Sequence, residues 1–313
     1  MIPAPLSSPL AAAVSCALTS DGKWLVERAL TDEYHFRTER VIFDGRTRFQ
    51  HVLIVDTAQY GRMLVVDGET QSAQHDEYQY HEALVHPALI EHPAPRDVLV
   101  IGGGEGATLR EVLRHSDVRR ATMVDIDGEL IELARRHLGD WHHSAFDDPR
   151  TDLHIADGLN YLKGTRDRFD VAIVDVCDYV EGTAVEGIYS RAFFDAVKSV
   201  LRPGGIVVVQ GGELGPEECD EHVALAHLVE ASFGNLQSYS TFIESFWSEW
   251  SFLIGGEQME PVAQRPAAAI DAALVARGLE RQLRFYDGGT HTRMFTLTKD
   301  VRDALTASRS RRL

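Results

Sequence analysis

From Asp97 onward the sequence alternates between short apolar segments and segments with helical periodicity, and this alternation limits the possible folds more than any other feature. The segments DVLVIGG, ATMVDID, TDLHIAD, FDVAIVD and IVVVQGG have the length and the valine and isoleucine content of strands. Amphipathic segments such as ATLREVLRH and GELIELARRHL lie between strands. The pattern predicts an α/β domain in which a mostly parallel, Rossmann-like sheet carries helices on both faces.

The residues before this domain have a different pattern, in which short strand-like segments follow one another without helical segments between them. The segments ERVIFDG, FQHVLIVDT and GRMLVVDG predict a small antiparallel β domain over residues 31–76, preceded by an N-terminal extension over residues 1–30. A helix is expected from about Glu77 to Ile90, and Pro87 is a position where it would kink or end. The Rossmann-like domain is assigned to residues 77–313. Within it, SYSTFIESFWSEWSFLIGG and TRMFTLTK are predicted to be later strands, the first an antiparallel hairpin at the sheet edge.

Charge and cysteine content narrow the classes of partner. The formal net charge of −17 argues against nucleic acid, because phosphates would be repelled, and favours small cations; an acidic surface for solubility explains the same charge. No apolar run approaches the roughly 20 residues of a membrane helix. Cys16, Cys177 and Cys219 show no pairing or metal-ligand spacing. We therefore expect a cytoplasmic protein with reduced cysteines and no membrane or nucleic-acid partner.

The segment VLVIGGGEGATLREVL joins a strand, a glycine-rich turn and a helix. Gly102, Gly104 and Gly106 let the backbone turn tightly and approach a ligand closely. Asp125 ends the next strand, 21 positions beyond Gly104, where a carboxylate can accept both hydroxyls of a ribose. The segment predicts a nucleoside site, which a nicotinamide dinucleotide or an S-adenosylmethionine-type ligand would fit.

Acidic residues favour the second class of ligand. Glu105 lies inside the glycine turn, where it would repel a pyrophosphate but would accept a cationic sulfonium compound. Asp157 follows the third strand, where an adenine amino group could bind, and Asp175 ends the fourth. Each acid could instead cap the helix that follows it. Helix capping could explain any single acid. It is a weaker explanation for all four acids at one sheet edge, which are Glu105, Asp125, Asp157 and Asp175.

Asp175 and Asp178 lie close together at the end of the apolar run in DVAIVDVCD. Neighbouring carboxylates repel each other, and a desolvated carboxylate is costly, so this strand end is predicted to receive a cation. Cys177 between them is interpreted as a packing residue, because the adjacent carboxylates would raise the pKa of its thiol.

Several motifs in the same order resemble the polyamine aminopropyltransferases, the spermidine synthase family. They are DEYQYHEALVHPAL, VLVIGGGEGATLREVLRH, MVDIDGELIELARRHL, AFDDPR and FDVAIVDVCD, within a resemblance that covers about residues 39–300. The resemblance implies an N-terminal β domain and a Rossmann-like catalytic domain of the class I methyltransferase type, assembled as a homodimer or homotetramer. It also implies transfer of the aminopropyl group of decarboxylated S-adenosylmethionine to an amine, which leaves methylthioadenosine, without a metal or other cofactor.

The resemblance transfers functional roles residue by residue. Asp175 matches the catalytic aspartate. The matched donor contacts are Gln50, His81, Gly102, Gly104, Glu105, Asp125, Asp157 and Gly158. The matched acceptor contacts are Tyr80, Asp178 and Gln210, and Trp247 is a further candidate whose simpler interpretation is an edge-strand aromatic. On the residues alone, a structural histidine is the better interpretation of His81, and the resemblance is what favours a ligand contact.

Departures from the family pattern concern the amine acceptor. Tyr179 stands where the family usually has proline, and ESFWSEW replaces a proline–tyrosine segment that lines many putrescine sites. The sequence is similar to bacterial members that carry GGGEGATLREVL, some of which use agmatine or longer polyamines, and to thermospermine synthases. The acceptor is left open among putrescine or cadaverine, agmatine and a longer amine such as spermidine.

Two other functions fit the same sequence. One is an S-adenosylmethionine-dependent methyltransferase, which would have to tolerate the donor's carboxylate beside Glu105 and Asp175. The other is a non-catalytic protein that binds polyamines or methylthioadenosine, a function for which Asp175 would not be needed as a base. An alkylamine has a pKa of about 10, by analogy with lysine, so a transferase needs a base to free its lone pair. Asp175 is predicted to be that base, with Asp178 anchoring the acceptor and Glu105 pairing with the donor's ammonium group.

Overall fold

Two β-sheets form the framework of the molecule, of which a computed structural model describes residues 15–29, 32–177, 187–215 and 219–310. The first is a six-stranded antiparallel sheet, and the second is a seven-stranded sheet flanked by helices. The predictions for Asp178 and Tyr179 lie outside the described residues and stay predictions.

The N-terminal sheet is a meander in which each strand pairs with the next. Its strands are β1 (Ser15–Leu18), β2 (Trp24–Ala29), β3 (Asp32–Arg46), β4 (His51–Thr57), β5 (Gly61–Val66) and β6 (Glu69–Ala73). Alternate residues of β4 point to opposite faces, as strand geometry requires. Val52 and Ile54 join the core of the C-terminal domain, whereas Leu53 and Val55 pack within the N-terminal domain. The sheet is therefore buried against the C-terminal domain along one face.

The sheet begins earlier than the sequence predicted. Strands β1 and β2 lie in the segment interpreted as an extension, and β2 pairs with β3 over its whole length. The hydrophobic pattern was weak because few of the side chains are buried: Cys16, Leu25 and Val26. Most of what holds these strands is backbone pairing, which has no sequence signature of its own.

The C-terminal sheet has the predicted parallel core with an antiparallel edge. In chain order the elements are α1 (Glu77–Glu91), β7 (Asp97–Gly102), α2 (Ala107–Arg114), β8 (Arg120–Asp125), α3 (Gly128–His137), α4 (Gly139–His142), β9 (Thr151–Ile155), α5 (Gly158–Gly164), β10 (Phe169–Asp175), α6 (Arg191–Val200), β11 (Leu201–Glu213), α7 (Cys219–Phe233), β12 (Leu236–Ile243), β13 (Ser248–Gly255), α8 (Ala267–Ala276), α9 (Gly288–Met294) and α10 (Lys299–Ser310). The strand order is β12-β13-β11-β10-β7-β8-β9.

The strand order reverses at β7. The chain proceeds outward from β7 through β8 to β9, then crosses to β10 on the other side of β7, and all four strands are parallel. In open α/β sheets ligands bind outside the carboxyl ends of the strands at such a reversal. The end of β7 is Gly102, so the glycine turn lies between the acid that ends β8 and the acid that ends β10.

One of the two predicted late strand segments is confirmed. Strands β12 and β13 form the expected antiparallel hairpin at the sheet edge. The prediction for TRMFTLTK was wrong, because these residues span the end of α9 and the start of α10. Met294 and Leu297 are buried three positions apart, and Asp287 caps α9 by accepting a hydrogen bond from the Thr290 N–H at 2.7 Å. Threonine and phenylalanine are common in strands and suggested one here, but the helices pack against β12 and α7 instead.

Helix α1 continues through Pro87 to Glu91. Proline has no N–H, so the carbonyl of Ala83, four residues earlier, loses its helical partner. The hydroxyl of Tyr239 on β12 donates to that carbonyl at 3.0 Å, in a fully buried position. A side chain from the sheet edge thus satisfies the group that the proline leaves unpaired, and the helix does not end.

Glu82 on the same helix ties down the C-terminal region. Its buried carboxylate accepts hydrogen bonds from the backbone N–H groups of Arg284, Phe285 and Tyr286 at 2.9, 2.8 and 2.8 Å. Three consecutive N–H groups that converge on one anion make an electrostatically complementary nest. Helix α1 is buried on nearly all sides, and its buried polar side chains each have a partner outside the helix: Glu77, Tyr80, His81, Glu82 and His86.

Candidate active site

The glycine turn is joined directly to the end of β10. The Gly103 N–H donates to the carbonyl of Asp175 at 2.8 Å. Gly102 has a φ of 85°, and a Cβ at this position would lie 2.0 Å from the same carbonyl oxygen. Only glycine fits such a close approach in a left-handed conformation. The turn and the acid therefore hold a fixed relative position, with the Asp175 side chain directed past Gly103, where a Cβ would lie 3.0 Å from its Oδ2.

Asp175 is buried and receives hydrogen bonds on both oxygens. The Tyr80 hydroxyl donates to Oδ1 at 2.7 Å, and the Thr108 hydroxyl donates to Oδ2 at 2.5 Å. Burial raises the pKa of Asp175, and the negative charge of Glu105 raises it further. The positive charge of His81 and the two hydroxyl donors act in the opposite direction. Burial and Glu105 outweigh the three groups that favour the ionised form, so the pKa of Asp175 stays above its ordinary value.

His81 lies between two carboxylates. Its Nε2 is 2.9 Å from Oε1 of Glu105, and its Nδ1 is 2.9 Å from Oε2 of Glu77. Burial alone lowers the pKa of a histidine, but the hydrogen bonds with Glu105 and Glu77 outweigh burial and raise the pKa of His81 to about 10. His81 is therefore a buried cation at neutral pH, and both of its ring nitrogens donate.

Arg110 on α2 bonds to Glu77, the acid on the far side of His81 from Glu105. Its two terminal nitrogens lie 2.9 Å from the two carboxylate oxygens of Glu77, a bidentate pair. Its Nε lies 2.6 Å from Oε1 of Glu111, which is itself fully buried. Charges alternate in sign from Glu111 through Arg110, Glu77 and His81 to Glu105, so each buried charge has a partner of opposite sign.

The acidic cluster suits an organic cation better than a metal ion. Among the described residues, polar atoms of His81, Glu105 and Asp175 lie within 4.8 Å of one another, a spacing that a metal ion could bridge. A histidine binds a metal through a neutral ring nitrogen, however, and both nitrogens of His81 donate to carboxylates. An ammonium group needs only acceptors, which Glu105 and Asp175 provide.

Asp125 lies on the other side of the glycine turn. Its Oδ1 accepts a hydrogen bond from the Asp127 N–H at 2.8 Å. Burial raises the pKa of Asp125 to about 7; that hydrogen bond opposes the shift, whereas the charges of Asp127, Glu105 and Asp175 add to it. A Cβ at Gly104 would lie 3.1 Å from Asp125 Oδ2, so the turn passes directly over this carboxylate.

A cavity of about 460 Å³ opens at the carboxyl ends of β8 and β9, next along the chain to Asp125. Ile126, Asp127, Ile155 and Ala156 line it from those strand ends, and Arg48 and Phe49 line it from the N-terminal domain. A cleft that combines apolar walls with a few polar groups can hold a nucleoside.

The loop between β3 and β4 closes this cavity from the N-terminal domain. Thr47 Oγ1 and Gln50 Nε2 both donate to Oδ2 of Asp127, at 2.6 and 2.9 Å. The other carboxylate oxygen of Asp127 caps α3. The predicted donor contact Gln50 is thus located at the cavity, where it is bonded to an acid that the sequence did not single out.

Asp157 and Gly158 lie at the start of α5. Asp157 caps this helix, with Oδ1 accepting from the Asn160 N–H at 2.7 Å. This is the helix-capping role that the sequence offered as the alternative to ligand binding. It follows the lining residue Ala156, so it is adjacent to the cavity as well. A Cβ at Gly158 would lie 2.9 Å from Ile101, which accounts for the glycine by close packing on β7.

The predicted acceptor contacts are brought together only in part. The Nε2 of Gln210, on β11, donates to the Val176 carbonyl at 2.7 Å, and its Oε1 accepts from Trp250 Nε1 at 3.2 Å. Trp250 and Phe246 pack against the Tyr80 ring, with centroids 6.5 and 6.2 Å away. Trp250, rather than Trp247, therefore joins Tyr80 to Gln210.

Trp247 occupies a different position on the β12–β13 hairpin. It has a φ of 55°, is 42% exposed, and stacks on Tyr34 of β3 with ring centroids 5.3 Å apart. The stacking of Trp247 on Tyr34 links the β12–β13 hairpin to the N-terminal sheet. It does not test whether Trp247 contacts the acceptor, which stays a prediction. Glu77, Thr108, Arg110 and Asp127 also belong to the site and were missed, although Thr108 and Arg110 stand inside the glycine-turn motif.

Comparison with known proteins adds to this geometry. Residues 77–265 match the spermine/spermidine synthase domain, and residues 31–74 match the spermidine synthase tetramerisation domain. The chain belongs to the spermine/spermidine synthase family. It is 49% identical over 229 residues to polyamine aminopropyltransferase 2 of Pseudomonas aeruginosa, a match that covers 73% of this chain and 66% of that protein. It is 43% identical over 273 residues to polyamine aminopropyltransferase 2 of Hyperthermus butylicus, covering 87% and 88% of the two chains.

Solved structures of spermidine synthases have the same fold. A spermidine synthase in complex with the transition-state analogue AdoDATO superimposes with a TM-score of 0.81 at 26% identity, covering 96% of this chain and 99% of the other. The enzyme from Thermotoga maritima gives 0.80 at 26% identity, with coverages of 96% and 98%. The predicted Rossmann-like fold and N-terminal antiparallel sheet are confirmed. The tetramerisation domain supports the predicted homo-oligomer, and the described part of the chain contains no helix long and apolar enough to cross a bilayer.

Proposed function

We propose that this protein is an aminopropyltransferase that moves the aminopropyl group of decarboxylated S-adenosylmethionine to an amine and releases methylthioadenosine. The observation that carries the proposal is the meeting of Asp175, Glu105 and His81 within 4.8 Å, at the same edge of the sheet as a cavity of about 460 Å³ lined by residues at the ends of β8 and β9. Family membership supports this reaction over methyl transfer and over ligand binding without catalysis.

The chemistry is a nucleophilic displacement at the carbon bonded to the sulfonium. An acceptor ammonium first gives a proton to Asp175, and the freed nitrogen lone pair attacks that carbon. The carbon–sulfur bond breaks, and its electron pair returns to sulfur as neutral methylthioadenosine leaves. Because the leaving group is activated by its own positive charge, the proposed reaction requires no metal or other cofactor. Tyr80 fixes the orientation of Asp175 by donating to its Oδ1 at 2.7 Å.

Selection of the decarboxylated donor follows from charge. Glu105 is placed to pair with the ammonium of the aminopropyl group, and Asp125 to accept the ribose hydroxyls. Ordinary S-adenosylmethionine would add a carboxylate beside Glu105 and Asp175, where like charges repel. The donor roles of Gln50, His81, Asp157 and Gly158, and the acceptor roles of Asp178, Gln210 and Trp247, are part of the same proposal. Because Cys16 and Cys219 carry free thiols, we assign the protein to the reducing cytoplasm.

Two experiments test this function. Incubation of the purified protein with decarboxylated or ordinary S-adenosylmethionine, each with putrescine, cadaverine, agmatine or spermidine, should yield methylthioadenosine only from the decarboxylated donor. Asp175→Asn should reduce turnover by about 10²–10⁴-fold, the usual contribution of a general base, while calorimetry still detects donor binding. The exposed acid Asp303 on α10 provides the control Asp303→Asn, which should turn over normally. Methyl transfer to any amine, or full activity of Asp175→Asn, would contradict the proposal.

A further inference from the structure

The Thr108 hydroxyl makes the shortest hydrogen bond to the proposed base. Thr108 lies in the first turn of α2, is fully buried, and donates to Asp175 Oδ2 at 2.5 Å. A threonine in a helix commonly bonds the carbonyl three or four residues earlier. Thr108 instead reaches across to β10, so its hydroxyl serves the site and not the helix.

The glycine turn leaves space for this contact. A Cβ at Gly103 would lie 3.0 Å from Asp175 Oδ2 and 3.5 Å from the Thr108 Cβ. The carboxylate oxygen therefore lies in a niche between the Gly103 backbone and the Thr108 side chain. Asp175 cannot turn this oxygen elsewhere without losing its donor, because Tyr80 holds the other oxygen.

The surroundings of Asp175 favour protonation. The groups that face it are Glu105 from the glycine turn, Asp125 from the end of β8, and Tyr80 and His81 from α1. Burial and Glu105 raise the pKa of Asp175, whereas His81, Thr108 and Tyr80 lower it. A base that is protonated before the amine arrives cannot act, so the donors to its oxygens matter for the reaction.

We propose that Thr108 is a positioning residue that keeps the Asp175 carboxylate ionised and fixes Oδ2, so that the remaining lone pairs face the amine. The inference rests on the proposed function, in which Asp175 takes the acceptor's proton. Thr108 need not touch either substrate. It acts through Asp175, and its removal should change the pH dependence of the reaction more than the affinity for the donor.

The variant Thr108→Val, which removes the hydroxyl at nearly constant shape, tests this role. Losing one hydrogen bond to the carboxylate should move the acidic limb of the kcat/KM profile to higher pH by about one unit, with about tenfold lower kcat/KM on that limb. Thr108→Ser keeps the donor and should restore the wild-type profile. Thr122 on β8 is also a buried threonine, and its hydroxyl has no hydrogen-bond partner in the described structure. Thr122→Val is therefore the matched control, and its profile should equal that of the wild type.

Calorimetry should give the same affinity for methylthioadenosine in the wild type and in Thr108→Val, Thr108→Ser and Thr122→Val. If Thr108→Val does not fold, Thr108→Ala, which cannot clash, should show the same displaced limb. An unchanged limb in the valine or alanine variant, or failure of serine to restore it, would refute the inference while leaving an active wild type as support for the function. A wild type that releases no methylthioadenosine from any amine would instead refute the function, and the inference with it.

Discussion

Nε2 of His81 lies 2.9 Å from Glu105 while Nδ1 of the same ring lies 2.9 Å from Glu77, so one buried cation separates two acids. Glu105 is therefore compensated before any ligand binds. Asp175, whose oxygens accept from uncharged hydroxyls, is the acid with the larger unmet demand for positive charge. The two acids therefore differ: Glu105 would meet the donor's ammonium while already paired with His81, whereas Asp175 is bonded to neutral hydroxyls when the acceptor's proton arrives.

The charge of His81 should make stability depend on pH. Its pKa in the folded protein is about 10, above the ordinary value of 6.5. The resulting stabilisation is fully present below about pH 6.5 and is lost as pH rises through about 10. His81→Gln lacks this contribution, so the difference in melting temperature between wild type and variant should shrink from pH 6.5 to 10. A difference that stays constant over this range would show that His81 is not charged.

Arg110 should contribute much more to stability than an exposed arginine. Arg110→Met leaves Glu77 and Glu111 as buried carboxylates without that partner, a loss of about 3–5 kcal/mol in unfolding free energy. Arg191 pairs with Asp195 on the surface, with both side chains about half exposed. Arg191→Ala should therefore cost less than about 1 kcal/mol. Urea denaturation of the two variants makes the comparison, and equal losses would contradict the buried network.

Asp125 should make nucleoside binding depend on pH near neutrality. Burial raises its pKa to about 7, so the carboxylate is only partly ionised there. The ionised form accepts both ribose hydroxyls, whereas the protonated form has less acceptor capacity. Affinity for methylthioadenosine should therefore increase from pH 6 to pH 8, and Asp125→Asn should bind weakly with a flat profile. Calorimetry in buffers of matched ionic strength measures both, and parallel profiles would exclude Asp125 as the ribose ligand.

Tyr239 and Pro87 should be energetically coupled through the carbonyl of Ala83. Tyr239→Phe leaves this buried carbonyl without a donor, which should cost about 1–3 kcal/mol. In a Pro87→Ala background the helix supplies its own N–H, so the same substitution should cost clearly less. A double-mutant cycle from thermal or urea unfolding gives the coupling free energy. Additive effects would mean that the tyrosine does not serve the position that proline disrupts.

The alternation of strands and helices from β7 to β11 could be predicted from the sequence because strand and helix periodicities differ, whereas the helices α7 to α10 were not predicted. Asp125 and Asp175 could also be predicted, since they end the two parallel strands on either side of β7 and therefore lie at one edge of the sheet. Helix α1 was predicted nearly to the residue, although its continuation past Pro87 depends on Tyr239, which lies far away in the sequence.

The rest depends on contacts that no local pattern encodes. Thr108 and Arg110 read as ordinary positions of an amphipathic helix, and only the packing of α2 against α1 and β10 gives them acidic partners. Trp247 and Trp250 stand three residues apart on one hairpin. Trp247 contacts Tyr34, and Trp250 contacts Tyr80. The backbone at Trp247 is left-handed, a conformation that is uncommon for a bulky residue and that the sequence does not indicate.

Tyr80, His81 and Glu82 are consecutive in α1, and each bonds to a different part of the molecule. Tyr80 bonds to Asp175, His81 bonds to Glu105, and Glu82 accepts from the backbone of the C-terminal loop. Local unfolding that frees either site residue must also release the backbone that Glu82 holds, so these regions form one cooperative unit. A nucleoside bound in the cleft should therefore slow deuterium exchange at the amides of Phe285 and Tyr286, which the ligand need not touch.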